Sequence, residues 1–283
     1  MRRWTFAKGH GTENDFVLLV DAGGERPLTA EQVRWICDRR AGIGADGVLR
    51  AVPGGQMPQW RGDPDVWFMD YRNGDGSIAE MCGNGVRVFV RHLLDSGLVV
   101  GPEVLVGTRA GVRETEVQPD GQVRVAMGPA RVVVNGEVVV RTADERAFDA
   151  VAVDVGNPHA VSFCADPRVI DLSRPPTWHP EQAFPAGVNA EFVSRRGPRH
   201  LAMRVFERGV GETRSCGTGT VAAAAAWHAR ESSESGTEEP VHYRVDVPGG
   251  TVEVQLGATS YLTGPAVIVA HGELILPDAL DAQ

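Results

Sequence analysis

The strongest constraint in this chain is a repeated signature: Met81-Cys82-Gly83-Asn84-Gly85 in the first half and Ser215-Cys216-Gly217-Thr218-Gly219 in the second. In each, a cysteine stands directly before a Gly-polar-Gly turn that leads into a helix. After the first, Val86, Val88, Phe89, Val90, Leu93 and Leu94 keep helical spacing; after the second, Val221 and Ala222 to Ala226 run into Trp227. The halves also close alike, on Met127-Gly128-Pro129-Ala130 and Leu262-Thr263-Gly264-Pro265-Ala266. Such a chain reads as one fold used twice: strands, a Cys-Gly-x-Gly turn, a helix, more strands and a terminal Gly-Pro.

The repeated run carries chemistry. At a helix start, free N–H groups and the helix dipole favour negative charge, which lowers a thiol pKa toward neutrality and makes the thiol a usable base. The glycines let backbone approach a ligand, and the exposed N–H groups of such a turn bind carboxylate or phosphate oxygens. One cysteine before a Gly turn is ordinarily packing. Two, one in each half, point instead to paired anion cradles with a thiol beside each.

Composition narrows the class. At 283 residues the chain is long for one core and suits two domains, and 42% apolar residues can fill both. A formal charge of −9 without a basic cluster makes nucleic acid and anionic membrane poor partners. Residues 1–20 lack an apolar leader with a cleavage site and no run approaches a membrane span, so a cytoplasmic location is expected. Four cysteines without CxxC spacing suit neither a disulfide framework nor a zinc site, and His10, His159 and the cysteines show no ligand spacing, so no metal is expected. Cys37, on a helix with Val33 and Ile36, and Cys164, after Phe163, read as core.

Taken in order, residues 4–7 are strand-like, 8–15 form a polar Gly-bearing turn, and 16–20 read as a buried strand. Asn14 either fills a turn position or offers its amide to a ligand. Thr29 caps a helix expected to run to Arg40, and the Gly-rich link 42–47 is too short and wrongly placed for a dinucleotide fingerprint. Residues 53–65 should be an exposed loop, 66–71 a strand and 72–77 a tight turn containing Asn73; short strands fill 103–127. In the second half, strand 151–155 enters Gly156-Asn157-Pro158-His159, where Asn157 reads equally as turn former or ligand group and His159 as core or functional residue. Asn189 lies beside another strand. Glu207 and Arg208, ahead of the second cysteine run, taken alone read as solvated charge.

Together these runs resemble the diaminopimelate epimerase family over nearly the whole chain: GTENDF (11–16), GIGADG (42–47), NGDGS (73–77), AEMCGNGVR (79–87), GNPH (156–159), GVNAEF (187–192), ERGVGET (207–213) and CGTGT (216–220). The resemblance implies an α+β fold of two pseudo-symmetric domains, 1–129 with 267–283 and 130–266, each a β-sheet wrapped around a central helix, with the active site in the interdomain cleft. It implies a cofactor-independent epimerase of lysine and peptidoglycan-precursor biosynthesis, and a homodimer. Two positions depart from the family pattern. Glu13 stands where a glycine usually precedes the Asn, and Val88 where many members have a further cysteine.

Inverting an amino-acid α-carbon requires a proton to leave one face and return to the other. Two thiols, one ionised and one protonated, do this and exchange roles in reverse. No lysine sits in a setting that suggests a pyridoxal Schiff base, so the carbanion must be stabilised electrostatically. By resemblance, Cys82 and Cys216 are the catalytic pair, and Gly83, Asn84, Gly217 and Thr218 bind the α-carboxylate. The same resemblance puts the substrate's polar groups on Asn14, Asn73, Asn157, Asn189, Glu207 and Arg208, with His159 and Glu207 tuning the thiols. Related proline or hydroxyproline racemases, which need no distal amino-acid recognition, are the nearest alternative. A redox-sensing or ligand-binding protein with a Cys82–Cys216 disulfide is the alternative from another class.

Overall fold

The computed structural model describes residues 3–231, 240–277 and 280, with backbone alone at 134–136. The chain forms two compact units, Met1–Val125 with Pro265–Gln283, and Ala126–Gly264. The divisions thus fall at 125/126 and 264/265, against 129/130 and 266/267 in the sequence reading.

The first unit begins β1 (Arg3–Gly11), β2 (Asn14–Val20), α1 (Ala30–Cys37), β3 (Gly47–Pro53) and β4 (Trp67–Asn73). It continues α2 (Gly83–Asp95), β5 (Glu103–Thr108) and β6 (Gly111–Val117), and the chain leaves it within β7 (Val123–Gly128). The second unit holds β8 (Arg131–Arg141), β9 (Ala147–Asp154), β10 (Pro158–Phe163), β11 (Thr177–His179), β12 (Asn189–Gly197), β13 (His200–Glu207) and β14 (Gly211–Thr213). After α3 (Gly217–Glu231) come β15 (Val241–Val247), β16 (Gly250–Leu256) and β17 (Ser260–Gly264), and β18 (Val267–Ile275) returns to the first unit.

Strand pairing exposes the duplication. In the first unit β18, β1, β2, β3, β4, β5, β6 and β7 are joined antiparallel, antiparallel, parallel, antiparallel, parallel, antiparallel, antiparallel. In the second, β8, β9, β10, β12, β13, β15, β16 and β17 repeat that succession step for step. The short strands β11 and β14 are additions, paired to β8 and β13.

Each sheet encloses one helix. α2 packs on β1, β2, β3, β4, β5 and β18, and residues 83–90 are all buried. Full burial of Phe89 and Leu93 is worth about 1.5–3 kcal/mol each. α3 packs on strands from β8 to β17, and its buried face is Val221 followed by Ala222 to Ala226. Small side chains suit a helix surrounded by sheet, where bulk would hold the strands off.

Three local expectations change. α1 has its Thr29 cap, with Gln32 completing a capping box, but stops at Cys37 rather than Arg40. The Asp38 carboxylate accepts from the Arg40 and Ala41 N–H groups, 2.7 Å each, and this local turn outcompetes helix. The polar stretch 8–15 is mostly ladder: β1 runs to Gly11 and β2 starts at Asn14, so only Thr12 and Glu13 turn, at φ 50° and 61°. The glycines of both cysteine runs lie inside the first helical turn rather than in a turn preceding it.

Candidate active site

In the first unit Cys82 is the N-cap of α2. Its backbone is extended, its sulfur accepts from Gly85 N–H at 3.4 Å, and its carbonyl accepts from Val86 N–H at 2.8 Å. The N–H groups of Gly83 and Asn84 lie ahead of that of Val86, the first to donate within the helix. Cys216 repeats this. Gly219 N–H donates to its sulfur at 3.4 Å, and Thr220 N–H to its carbonyl at 2.9 Å. The two helix starts therefore share one hydrogen-bond scheme, and Gly217 and Thr218 hold the places of Gly83 and Asn84.

An asparagine from a neighbouring turn joins each cysteine's group. Asn14 Oδ1 lies 3.6 Å from Cys82 Sγ and accepts from Asn84 Nδ2 at 3.2 Å. In the second unit Asn157 Nδ2 donates to Thr218 Oγ1 at 3.4 Å, and that hydroxyl lies 3.5 Å from Cys216 Sγ. Each asparagine follows a residue at positive φ, Glu13 at 61° and Gly156 at 88°. The turn geometry is shared while the residue that makes it differs.

The supports beneath these asparagines diverge. Asn14 Nδ2 donates to Asp46 Oδ2 at 2.8 Å; Arg39 bridges Asp46 and Asp15, and Lys8 pairs with Asp15 at 2.5 Å. Burial works to raise the Asp15 carboxyl, but Arg39 and Lys8 overcome it and hold it down at about 2. Lys8 is the one lysine in the sequence and is committed to this cluster. Asn157 instead leans on His159, whose Nε2 lies 2.9 Å from Asn157 Oδ1 and whose Nδ1 lies 2.7 Å from Glu191 Oε1. His159 and Glu191 are wholly buried on the paired strands β10 and β12, where His159 lies opposite Asn189 and Glu191 opposite Val161. Burial pushes the Glu191 carboxyl up.

The Cys216 thiol departs from the expectation that both thiols are acidified. Cys216 is buried, and that burial, followed by Glu207 and Glu191, pushes its thiol well above the usual range despite the helix start. Cys82 is half-buried. Cys37 and Cys164, both core by expectation, are pushed up by burial to about 12 and about 11. All four cysteines are free.

The remaining residues fall as follows. Asn73 ends β4 opposite Gly47, beside Asp46, but its amide goes to Ser77 Oγ at 3.0 Å. Asn189 Nδ2 donates to the Pro158 carbonyl at 3.3 Å and its Oδ1 accepts the Arg208 N–H at 2.9 Å, so it ties β10 to the 207–211 turn. Arg208 is exposed, with its guanidinium on the Ala186 carbonyl at 3.0 Å. It borders an apolar cavity of about 450 Å³ with Trp178, Val188 and Phe206, which the residues around Cys216 do not line. Glu207 accepts from Thr213 Oγ1. Sequence reasoning assigned nothing to Asp46, Arg87 or Glu191. A charged residue between apolar neighbours in a buried helix (Val86-Arg87-Val88), or in a buried strand (Ala190-Glu191-Phe192), was the signal present.

Comparison with known proteins places the fold first. A Bacillus anthracis phenazine biosynthesis protein of the PhzF family superposes with TM-score 0.70 at 15% identity, covering 98% of this chain and 100% of that one. A hydroxyproline epimerase from Agrobacterium vitis superposes with TM-score 0.67 at 19% identity, covering 99% and 94%. The architecture is thus the α+β fold these proteins share. The family model for diaminopimelate epimerase matches residues 6–133 and 151–269. The diaminopimelate epimerase of Streptomyces coelicolor is 50% identical over 277 residues, 96% of this chain and 95% of its own length; that of Thermobifida fusca is 50% identical over 280, covering 96% and 98%. The chain belongs to the diaminopimelate epimerase family.

Proposed function

We propose that this protein is an isomerase that interconverts L,L-diaminopimelate and meso-diaminopimelate without a cofactor, with Cys82 and Cys216 serving opposite faces of one α-carbon. The observation that carries the reading is the shared scheme at the two helix starts, where each sulfur takes an N–H three residues on and each cysteine carbonyl takes one four residues on. One thiolate removes the α-proton while the other thiol delivers a proton to the opposite face, and the reverse reaction exchanges the roles. The N–H groups of Gly83, Asn84, Gly217 and Thr218 receive the α-carboxylate as it gains enolate character, a stabilisation that needs no reorganisation during reaction. Asn14, Asn73, Asn157, Asn189, Glu207 and Arg208 hold the remaining polar groups of a substrate with an ammonium and a carboxylate at each end, since an amide both donates and accepts. His159 and Glu207 tune the thiols.

The reading places the enzyme as a homodimer in the reducing cytoplasm, where both thiols stay usable. No helix among the described residues is long and apolar enough to cross a membrane. The test is deuterium incorporation at the α-carbon of L,L-diaminopimelate by reduced enzyme in deuterated water, beside a panel including proline and hydroxyproline. Exchange confined to diaminopimelate supports the reading. Exchange of proline instead assigns the related racemase activity, and no exchange under reducing conditions leaves the paired cysteines a redox or binding role.

A further inference from the structure

The two helix starts share their hydrogen bonds but not the charge buried beneath them. Five residues after Cys82 on α2 stands Arg87, fully buried and forming no ion pair among the described residues. Its Nε donates to the Pro265 carbonyl at 3.3 Å and one terminal nitrogen to Thr12 Oγ1 at 3.2 Å, while the other, Nη1, has no partner among the described residues. A buried cation with an unmet donor is costly unless a negative charge lies within reach. Among the described residues, the one titratable group whose charge bears on it is Cys82. Other charged groups on elements around α2 are engaged elsewhere: Lys8 with Asp15, and Arg50 with Asp21 and Asp70. His10 accepts from Glu13 N–H, and His271 lies beside His92.

The place five residues after Cys216 is Val221, and the buried charge near that sulfur is of opposite sign. Glu191 is fully buried, its Oε2 has no partner among the described residues, and its other oxygen is held by His159. Glu207 is the other carboxylate bearing on Cys216. A Cβ on Gly219 would come within 2.6 Å of Glu191 Oε1, so the absence of a side chain there makes room for the carboxylate beneath the sulfur. One contact opposes the assignment in the first unit. Asn14 Oδ1, 3.6 Å from Cys82, suits a thiol, but a long bond from a weak S–H donor is minor against a buried full charge.

We propose that Arg87 and Glu191 are positioning residues that divide the resting roles: Cys82 ionises first and waits as the base, and Cys216 keeps its proton and waits as the acid. This rests on the two-cysteine reading above, but the test reads ionisation in the free enzyme and turnover is not needed. The rate of iodoacetamide alkylation is followed against pH for Cys82 in a Cys216→Ser protein and for Cys216 in a Cys82→Ser protein. The Cys82 inflection is expected below that of Cys216. Arg87→Met should raise the Cys82 inflection by about one unit or more, Arg87→Lys should leave it near its starting place, and Glu191→Gln should lower that of Cys216 alone. Cys216 ionising first, in chains with residues 87 and 191 unaltered, overturns the proposal whether or not the variants fold. Equal shifts from Arg87→Lys and Arg87→Met also overturn it, by reducing Arg87 to a strut for Thr12 and Pro265. Failure of the two-cysteine reading would show in the deuterium assay and leave these profiles unchanged.

Discussion

The surroundings of Cys82 and of Cys216 are one design executed with different materials. Both sulfurs cap a buried helix and have an asparagine from a turn at positive φ in their hydrogen-bonded group. The first asparagine, though, is held by a network of full charges open to solvent on one side, with Lys8 and Asp15 half-buried and Arg39 and Asp46 exposed, and the second by a histidine and a carboxylate sealed from water. Strand pairing survives in both copies, as do the cysteine and the asparagine, whereas the side chains that support each asparagine differ. The proposed two-base reaction needs that outcome, because similar scaffolds would present the thiols and unlike surroundings would give them unlike protonation.

The sharpest way to break the comparison is to remove either sulfur. Cys82→Ala and Cys216→Ala should each lower epimerisation by at least about 10³-fold with circular dichroism unchanged. A variant turning over at close to the wild-type rate would show that its half of the molecule is scaffold only. The next largest difference should come from matched glycines. Gly219→Ala drives a Cβ to 2.6 Å from Glu191 Oε1 and 3.3 Å from Cys216 Sγ, whereas at Gly85 the nearest atoms, of Cys82 and Leu49, are at an ordinary 3.4 Å. Thermal melts should show Gly219→Ala costing about 1–3 kcal/mol and Gly85→Ala less than about 1. Similar costs would mean that Glu191 gives way freely.

Acid should separate the two supports. The Asp15 carboxyl is held at about 2 against an ordinary 3.8, so the first unit has the full stabilisation above about pH 4 and loses it as pH falls toward 2. Asp15→Asn should cost about 2 kcal/mol at neutral pH and remove that acid-labile step, read by hydrogen exchange of peptides from residues 8–20. Exchange there that is indifferent to pH between 4 and 2 would show that the ion pairs contribute little. The smallest effect concerns the turns before the asparagines. Glu13 holds at φ 61° the place that Gly156 fills in the second unit. Glu13→Gly should therefore be neutral to stabilising, by up to about 1 kcal/mol, because a left-handed conformation is costly for a residue with a Cβ. A clear loss on that change would assign the Glu13 side chain a contact that outweighs its backbone strain.

Much of this was legible in the sequence because it depends on period and punctuation. α2 and α3 follow from apolar spacing after each cysteine, α1 begins at its Thr29 cap, and the duplication follows from the twin Cys-Gly-x-Gly and Gly-Pro runs. The buried partners were not legible. Arg87 reads as an exposed position of an amphipathic helix, and only enclosure of α2 on every side puts it inside. Glu191 alternates with apolar residues in β12 as a solvent-facing residue would, but α3 covers that face of the sheet. The α1 terminus was misjudged because an Asp that caps its own turn looks in sequence like one more helical residue. The raised Cys216 thiol was missed because a helix start predicts acidity, and burial, which decides the sign here, is a property of the tertiary structure.

The return of β18 to β1 has a bearing on biosynthesis. Trp4 of β1 packs in the same core cluster as Leu274 and Leu276, so the opening strand is laid against nearly the last described segment of the chain. As the nascent polypeptide leaves the ribosome, the contiguous second unit is complete once β17 emerges, while β1 must wait as an open edge for β18. The half of the molecule that is translated first is therefore the half that matures last.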